Sequence, residues 1–402
     1  MLNERRKPEL REAYYRQRLD APATPAIDDR TWSDMDMDAV FLKLDRTCSS
    51  VGEAVLYDAM RRPLFDPDEI AERAARIRAL TEDARLRLRK ILGRLGAQRD
   101  AEVFTFLLTQ GRSIEDRLRF VYVGLGILAI LAIPAAIAIG VKGLLVLGAV
   151  VVVNFVIHYR FKAIVTTESS TYEYLHRLFV AARRIARSGV RVEGITEELG
   201  ELSAGFTRLR RRTALLLSPS GMAGDIAAAL MDFVRQFTLQ EVIAYFMVHN
   251  ELIRRRAELH RLYTLVGTLD ALQSIATLRA ELPGLCTPRV VDGLRFEADD
   301  IVHPLLETPV ANTVRMDGRG VIVTGSNMSG KSTFLRTIGI NQVLATTVCV
   351  AFARRMESGA LLTMSSITNR DSVLTSESHY LVEAKRLLEI RGAASGPYPV
   401  LV

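Results

Sequence analysis

The sequence predicts a chain of class α + α/β, in which a mostly helical core contains a transmembrane helical hairpin and precedes an incomplete α/β domain. Three observations predict it: apolar residues recur at helical spacing, two uncharged runs of 21 and 16 residues lie at 120–140 and 144–159, and a phosphate-loop motif follows a short β-like run. The predicted ranges are an N-terminal arm (1–30), a first helical part (31–119), the hairpin (120–159), a second helical part (160–284) and the phosphate-loop domain (285–402).

Composition limits the compartment and the class of protein. A chain of 402 residues with 49% hydrophobic residues holds two or three domains with ample cores. Its 3 cysteines are far apart and form no C-x-x-C pair, so neither a disulfide framework nor a zinc site is predicted, and a reducing cytosolic setting fits. The net charge of +7 permits contact with nucleic acid or anionic lipid, but a solvated, arginine-rich helical surface is the simpler explanation.

The first helical part follows a charged arm that we expect to be a short helix or disordered. Apolar residues at near-helical spacing predict buried helices here; they are Val40, Leu44, Val51, Val55 and Met60. Two prolines at 63 and 67 break the pattern, and a long charged helix is predicted from Pro67 to Leu95.

The two uncharged runs predict a hairpin that crosses a bilayer twice. The first run is long enough to span, the second is short, and residues 140–143 form a tight polar break between them. Basic residues flank the outer ends, whereas only Lys142 lies in the break, so the positive-inside bias places both outer ends, and hence the N- and C-terminal parts, in the cytoplasm. The alternative is a buried helical hairpin in a soluble core.

Between residues 161 and 281 the second helical part contains one proline, Pro219, and an apolar helical stripe that we interpret as ordinary core packing. Its basic clusters at 208–212 and 254–256 suit acidic lipid or nucleic acid, although a solvated helix face is the simpler interpretation. After the boundary at 283–288, short β-like runs alternate with helices, which is typical of a parallel α/β sheet.

The phosphate-binding motif carries the chemistry. A buried strand is predicted at 319–324 and a helix from Phe334 to about Thr347, so the loop between them aims a helix N-terminus at the phosphates. Lys331 supplies charge to the β- and γ-phosphates, and the Ser332 hydroxyl binds Mg²⁺. The predicted ATP-binding residues are Gly325, Ser326, Asn327, Met328, Ser329, Gly330, Lys331, Ser332 and Thr333.

These residues resemble the phosphate loop of the MutS family of DNA mismatch repair ATPases, in which the Asn-Met pair and the following Ser-Thr-[Tyr/Phe]-Leu-Arg are distinctive. The resemblance covers roughly half of the chain in the family's order. The other similar segments are His303-Pro304, Ser376–Glu383, Leu44–Thr47, Arg62–Asp66 and Thr268–Ala276. The arginine that usually precedes the His-Pro pair is replaced by Val302.

The resemblance implies a homodimer through the ATPase domain, in which Ser376 and Ser378 reach the partner's nucleotide. From the residues alone, Ser378 is better explained as the N-cap of the following helix, with Glu383 exposed. In the family an Asp-Glu pair follows the strand that Tyr398–Val402 resembles, so no catalytic residue is expected before Val402. We therefore expect a fragment or truncated product that binds ATP with little turnover.

Four functions remain open. The first is a membrane-anchored MutS-like ATP-binding protein whose helical core acts as a lever, and the second adds DNA binding in repair or recombination, weak and without mismatch preference because the 30-residue arm cannot hold a mismatch-recognition domain. The third is a non-catalytic, nucleotide-regulated membrane scaffold. A transporter ATPase is a weaker fourth, because two spans are few and no Leu-Ser-Gly-Gly-Gln signature is present.

Overall fold

The computed structural model describes residues 25–96, 116–216, 233–367 and 379–402. The chain divides into two compact units: unit 1 comprises residues 1–90 and 267–402, and unit 2 comprises residues 91–266. The domain ranges predicted from sequence therefore stay predictions, since the units group segments that are distant along the chain.

The helices of the described residues are α1 (Asp29–Asp34), α2 (Met37–Leu44), α3 (Ser50–Arg61), α4 (Pro67–Ala79), α5 (Glu82–Leu95), α6 (Asp116–Ile139), α7 (Val141–Ala186), α8 (Thr196–Gly205), α9 (Thr207–Leu216), α10 (Gln240–Arg254), α11 (Arg256–Glu281), α12 (Lys331–Thr347) and α13 (His379–Ala394). The strands are β1 (Arg289–Val291), β2 (Arg295–Ile301), β3 (Asn312–Asp317), β4 (Arg355–Gly359), β5 (Leu362–Thr363) and β6 (Val400–Leu401). A helical segment also covers residues 233–237.

The first helices of unit 1 bury the residues that the helical spacing singled out. Val40, Leu44, Val51 and Met60 are fully buried and Val55 is nearly so. Aromatic rings fill the space between α1, α2 and α3, because Tyr57 makes edge-to-face contacts with Trp32 and Phe41 at centroid distances of 5.2 and 5.4 Å.

The long helix predicted from Pro67 to Leu95 is in fact two helices, α4 and α5. The break lies at Leu80 and Thr81, where the Thr81 hydroxyl accepts a hydrogen bond from the Ala84 amide at 3.3 Å. A threonine that precedes two acidic residues is a helix N-cap signal, and here it starts a new helix.

The strands of unit 1 form two sheets. The larger has the order β1-β4-β2-β3, with β1 parallel to β4 and β2 antiparallel to both of its neighbours. The expectation of a parallel sheet is therefore wrong for this sheet, which is mixed. Parallel pairing also joins β5 and β6 in the second sheet, where β6 is the strand predicted at Tyr398–Val402.

Unit 2 contains the predicted hairpin as α6 and α7. The two helices turn at Gly140 alone, which has φ 67°, so the break is shorter than the predicted 140–143 and Lys142 lies in the first turn of α7. A Cβ atom on Gly143 would lie 2.5 Å from the Ala135 carbonyl oxygen, so this glycine lets the helices approach closely. Residues 120–139 and 141–161 are long and apolar enough to cross a membrane.

Most apolar side chains of the hairpin are exposed, which a buried hairpin in a soluble core would not show. Only 17% and 22% of the two apolar windows are buried. The exposed side chains include Ile127, Ile130, Leu131, Ile137, Leu144, Leu145, Val152 and Phe155.

Cys349 gives a test of the packing of unit 1. Its side chain is buried, its Sγ lies 3.5 Å from the Ile70 carbonyl oxygen, and burial raises the pKa of its thiol to about 11. Because the reactive species is the thiolate, we expect Cys349 in the native protein to be inert to a thiol reagent at pH 8 and to react only on unfolding. The Cys349→Ser variant should therefore show the same fast-reacting thiols as the wild type, and the loss of a fast phase in that variant would contradict the prediction.

Candidate nucleotide-binding site

The phosphate-loop motif lies at the start of α12, a helix of 17 residues. Gly330 is its N-cap in the left-handed conformation, with φ 89°, and offers no side chain to the first amides of the helix. The amides of Lys331, Ser332 and Thr333 therefore have no acceptor within the helix, since the intrahelical bonds begin with the Phe334 amide, which donates to the Gly330 carbonyl oxygen at 2.8 Å. Amides of this kind at the positive end of a helix dipole bind anions.

Lys331 closes the loop onto itself. Its Nζ donates to the carbonyl oxygens of Gly325 and Ser326 at 2.7 and 2.6 Å, which places the ammonium group inside the curve of the loop. Gly325 permits this tight turn, because a Cβ atom there would lie 2.8 Å from Ser329 Oγ. Met328 has φ 67° and a fully exposed side chain.

The donor set fits a polyphosphate. Unpaired helix amides, a lysine ammonium and the exposed Ser332 hydroxyl lie on neighbouring residues, and residues 325–330 are all exposed to solvent. In such loops the amides and the lysine bind the phosphate oxygens, and the hydroxyl is a ligand of the accompanying Mg²⁺. A bound phosphate would replace the two carbonyl contacts that Lys331 makes here.

The strand predicted before the loop, at 319–324, is not formed. Val321 and Ile322 are exposed, the latter by 89%, and the described residues offer the segment no neighbouring strand. Val321 and Val323 line an apolar cleft of about 500 Å³ together with Val400 and Leu401 of β6. A strand requires a partner for its amides and carbonyl groups, and this segment faces a cleft instead.

Two buried side-chain amides, of Asn341 and Gln342, hold α12 against its surroundings, and the phosphate-loop motif does not predict them. The Asn341 side chain donates to the Val302 carbonyl oxygen at 3.2 Å and accepts from the Phe352 amide at 2.6 Å. The Gln342 side chain donates to the Gly359 carbonyl oxygen at 2.9 Å and accepts from Ser358 Oγ. Two adjacent side-chain amides within the otherwise apolar stretch 338–345 were the available sequence signal, because buried polar side chains are retained with partners.

The far end of α12 is bonded to the first helical part. The Leu64 amide donates to the Thr346 carbonyl oxygen at 3.0 Å, and the Arg73 guanidinium of α4 donates to the Thr347 carbonyl oxygen. A cation at the negative end of a helix dipole is favourable, and the last carbonyl groups of the helix gain donors. The helix that starts at the phosphate loop therefore ends on the α3–α4 connection.

Residues Ser376 and Ser378 lie outside the described residues, whereas the helix that follows them, α13, is held firmly. Arg386 is buried and donates to the Ser365 carbonyl oxygen at 2.9 Å, to Thr31 Oγ1 at 2.7 Å and to Asp28 Oδ2 at 3.1 Å. Burial would raise the pKa of Asp28, but hydrogen bonds from Thr31 and the Arg386 charge outweigh burial and lower it. Glu383, in the same helix, is exposed.

Two segments that are distant in sequence, 44–49 and 268–276, meet at Asp270. This fully buried carboxylate accepts hydrogen bonds from the amides of Cys48 and Ser49 at 3.0 and 2.8 Å, and from Ser49 Oγ at 2.5 Å. The Gln273 side chain donates to it at 2.8 Å. Asp270 thus holds Ser49, the N-cap of α3, whose hydroxyl oxygen accepts from the Gly52 amide at 3.2 Å, and it places a carboxylate near the helix N-terminus, where negative charge is favourable.

The His303-Pro304 pair has a packing role in unit 1. The Leu305 amide donates to His303 Nδ1 at 3.2 Å, and Lys43 Nζ donates to the Pro304 carbonyl oxygen. Burial and the nearby Arg336 charge lower the pKa of His303, so its ring is neutral at pH 7.

Glu357 is engaged in ion pairs within the larger sheet. It lies in β4, its side chain is 7% exposed, and it forms ion pairs with Arg295 and Arg355 at 3.5 and 3.2 Å. Asp371 lies outside the described residues.

Comparison with known proteins agrees with the motif. Residues 321–397 match the family model for MutS domain V. The chain is similar to the DNA mismatch repair protein MutS of Microcystis aeruginosa (29% identity over 36% of this chain and 18% of that protein) and to MutS protein homolog 5 of Saccharomyces cerevisiae (26%, over 44% and 21%). It is also similar to the DNA mismatch repair protein MSH3 of Phaeosphaeria nodorum (26%, over 52% and 19%). The chain thus spans about a fifth of the length of these relatives.

Proposed function

Because the chain belongs to the MutS family, we propose that it is a membrane-anchored member of that family which binds ATP and Mg²⁺ at residues 325–333. The nucleotide state would be coupled to the helical core, which would act as a lever. The observation that carries this proposal is α12, which has the phosphate loop at its N-terminus and bonds from Leu64 and Arg73 at its C-terminus. Phosphate at one end of a rigid helix then displaces the contacts at the other.

We propose ATP hydrolysis for this chain because it is the activity of the family. We propose that hydrolysis requires a homodimer in which Ser376 and Ser378 reach the partner's nucleotide, as the resemblance implies. Phosphoryl transfer needs a group that positions the attacking water in addition to the loop. The alternative is a non-catalytic membrane scaffold in which nucleotide sets only the dimer state, and phosphate release from ATP separates the two.

Membrane attachment through residues 120–159, with both flanks cytoplasmic, is supported by the exposed apolar surface of α6 and α7. Arginines and a lysine at the outer ends, against Lys142 alone at the turn, support the orientation.

The attachment is tested by a cysteine at the turn. In cells whose plasma membrane is intact, we expect Lys142→Cys to react with an impermeant maleimide, because its side chain lies at the turn on the far side of the bilayer. The matched variant Leu86→Cys, 58% exposed in α5, should react only after permeabilisation. Labelling of both positions only after lysis, with the protein in the soluble fraction, would contradict the hairpin.

DNA binding is a second candidate, favoured by the names of the relatives and by the basic cluster on α9. Part of that cluster is already engaged, because Arg212 pairs with Glu251 at 2.8 Å. At the α10–α11 junction Arg255 pairs with Glu258 at 2.5 Å and lies 4.0 Å above the Phe206 ring. These contacts engage Arg212 and Arg255, one residue of each basic cluster, and so reduce the charge that the clusters offer to phosphate.

We therefore expect duplex binding to be weak, steeply dependent on salt and without mismatch preference, since phosphate contacts carry no base information. Fluorescence anisotropy at two salt concentrations measures it, and replacing the exposed Arg208 and Arg211 by Ala should weaken binding further. Tighter binding to a mismatched duplex than to its matched control at physiological salt would show base reading that we do not expect.

A further inference from the structure

In unit 2, residues 233–246 lie beside the hairpin at the level of its apolar runs, although they belong to neither of the two predicted spans. Phe237 packs against Ala129 of α6 and Val150 of α7 in one apolar cluster. Ala129 and Val150 are close to the middle of their apolar runs, 120–139 and 141–161. Phe237 is therefore inserted against the centre of the hairpin.

The aromatic contacts give the same depth independently. Phe246 lies 5.2 Å from the Tyr122 ring and 5.4 Å from the Phe161 ring, at the outer ends of the two helices. Along α6, Ala129 is 7 residues beyond Tyr122, which at 1.5 Å per residue is about 10 Å inward. From Phe246 back to Phe237 is 9 residues, or about 13 Å if helical. Both routes place Phe237 roughly 10 Å or more inside a hydrocarbon core of about 30 Å.

The helix is interrupted at this depth, and residues of the hairpin bind or accommodate the interrupted backbone. Leu239 is left-handed, with φ 53°, between the helical segment 233–237 and α10. Asn154, fully buried in the second run, donates to the Phe237 carbonyl oxygen at 2.8 Å. A Cβ atom on Gly126 would lie 2.6 Å from the Thr238 carbonyl oxygen, so this glycine allows the broken backbone to approach α6. Non-helical backbone at membrane depth is tolerated where protein groups satisfy it in this way.

The charges in the segment are consistent with this position. Glu241 Oε2 lies 3.8 Å from Nδ1 of His158, which is buried in α7. Arg235 is partly buried and has interactions with its surroundings. Ionisable groups within a membrane are expected to face protein and to pair.

The outer surface of the segment continues the apolar surface of the hairpin. Phe233 is 55% exposed and stacks on Phe237 at 6.1 Å, and the adjacent Val234 is 39% exposed. We infer that residues 233–246 form a third membrane-embedded element, which lies in the bilayer beside the hairpin and presents Phe233 and Val234 to lipid acyl chains. The inference rests on the proposed membrane attachment of residues 120–159.

Lipids brominated along the acyl chain test the inference by quenching tryptophan fluorescence in proteoliposomes of the full chain. Phe233→Trp is the test variant, Ile130→Trp reports the hairpin, and Leu86→Trp reports a residue of unit 1 outside it. Wild-type protein supplies the baseline from Trp32, the chain's single tryptophan, which is buried in unit 1. We expect Phe233→Trp to be quenched to within about twofold of Ile130→Trp, and Leu86→Trp to be unaffected.

The outcomes separate this inference from the proposed function. If Ile130→Trp is quenched while Phe233→Trp behaves as Leu86→Trp and is quenched by aqueous acrylamide, the third element is wrong and the hairpin stands. If Ile130→Trp is not quenched either, the membrane attachment itself fails. Replacing Asn154 by Leu adds a second measurement: loss of the bond to the Phe237 carbonyl oxygen should reduce bromolipid quenching of Phe233→Trp and leave that of Ile130→Trp unchanged, and no change in either would overturn the role of Asn154.

Discussion

Lys331→Ala is expected to weaken ATP binding by roughly 10- to 150-fold, the equivalent of about 1.5–3 kcal/mol for hydrogen bonds to a charged group. The lysine is the only side chain of the loop that can bring positive charge to the phosphates, and its Nζ already lies on the loop carbonyl groups of Gly325 and Ser326. A fluorescent ATP analogue titrated in the presence of Mg²⁺ measures the change.

The matched control is Lys90→Ala, which removes the same side chain from an exposed helical position. It should leave the affinity within about twofold of the wild type, since exposed surface substitutions usually have small effects. Unchanged affinity in a folded Lys331→Ala protein would contradict the assignment of the loop. A phosphate-release assay on the same proteins measures ATP hydrolysis. Turnover that Lys331→Ala removes supports the ATPase, and binding without turnover supports the scaffold.

Asp270→Ala should destabilise unit 1 by about 3–5 kcal/mol, because it leaves the buried amides of Cys48 and Ser49 and the Ser49 hydroxyl without their acceptor. That is a large fraction of the 5–15 kcal/mol that is typical for a folded protein. Asp270→Asn, which keeps one acceptor oxygen, should fall between the alanine variant and the wild type.

Urea unfolding followed by Trp32 fluorescence measures this loss in unit 1. Trp32 is buried, and the Arg61 guanidinium lies 4.2 Å above its ring. The control is Asp83→Ala, whose exposed carboxylate pairs with Arg87 at 2.7 Å on the surface of α5; it should cost less than about 1 kcal/mol. Equal midpoints for Asp270→Ala and Asp83→Ala would show that the cap of α3 contributes little.

Features that are set by residues close in sequence could be predicted, whereas features that depend on distant parts of the chain could not. The start of α12 follows from a glycine and an open helix end, and the hairpin from runs without charge, so both could be predicted from residues near each other in sequence. The segment 319–324 could not, because a strand depends on the chain that lies beside it. The division of 67–95 at Thr81 was predictable from its N-cap signal and was missed.

The interactions that hold the candidate site were beyond sequence reasoning for a related reason. Arg386 joins α13 to Asp28 and Thr31 across more than 350 residues, and Asp270 binds the N-cap residue of α3 across 221. Neither side chain belongs to a spacing pattern, and a single aspartate or arginine in a helix is far more often solvated than buried. Such partners become visible only when the fold has brought them together.

The unbroken course of α7 has a geometric consequence for a protein attached to a membrane. The helix has 46 residues, and its apolar run ends at Phe161, so 25 further residues continue the same rod to Ala186 for about 38 Å at 1.5 Å per residue. With the run in a bilayer, this stalk fixes the height of its distal end above the lipid surface. Each residue along it also turns by about 100°, so the rod sets the direction that its distal end faces as well as the distance.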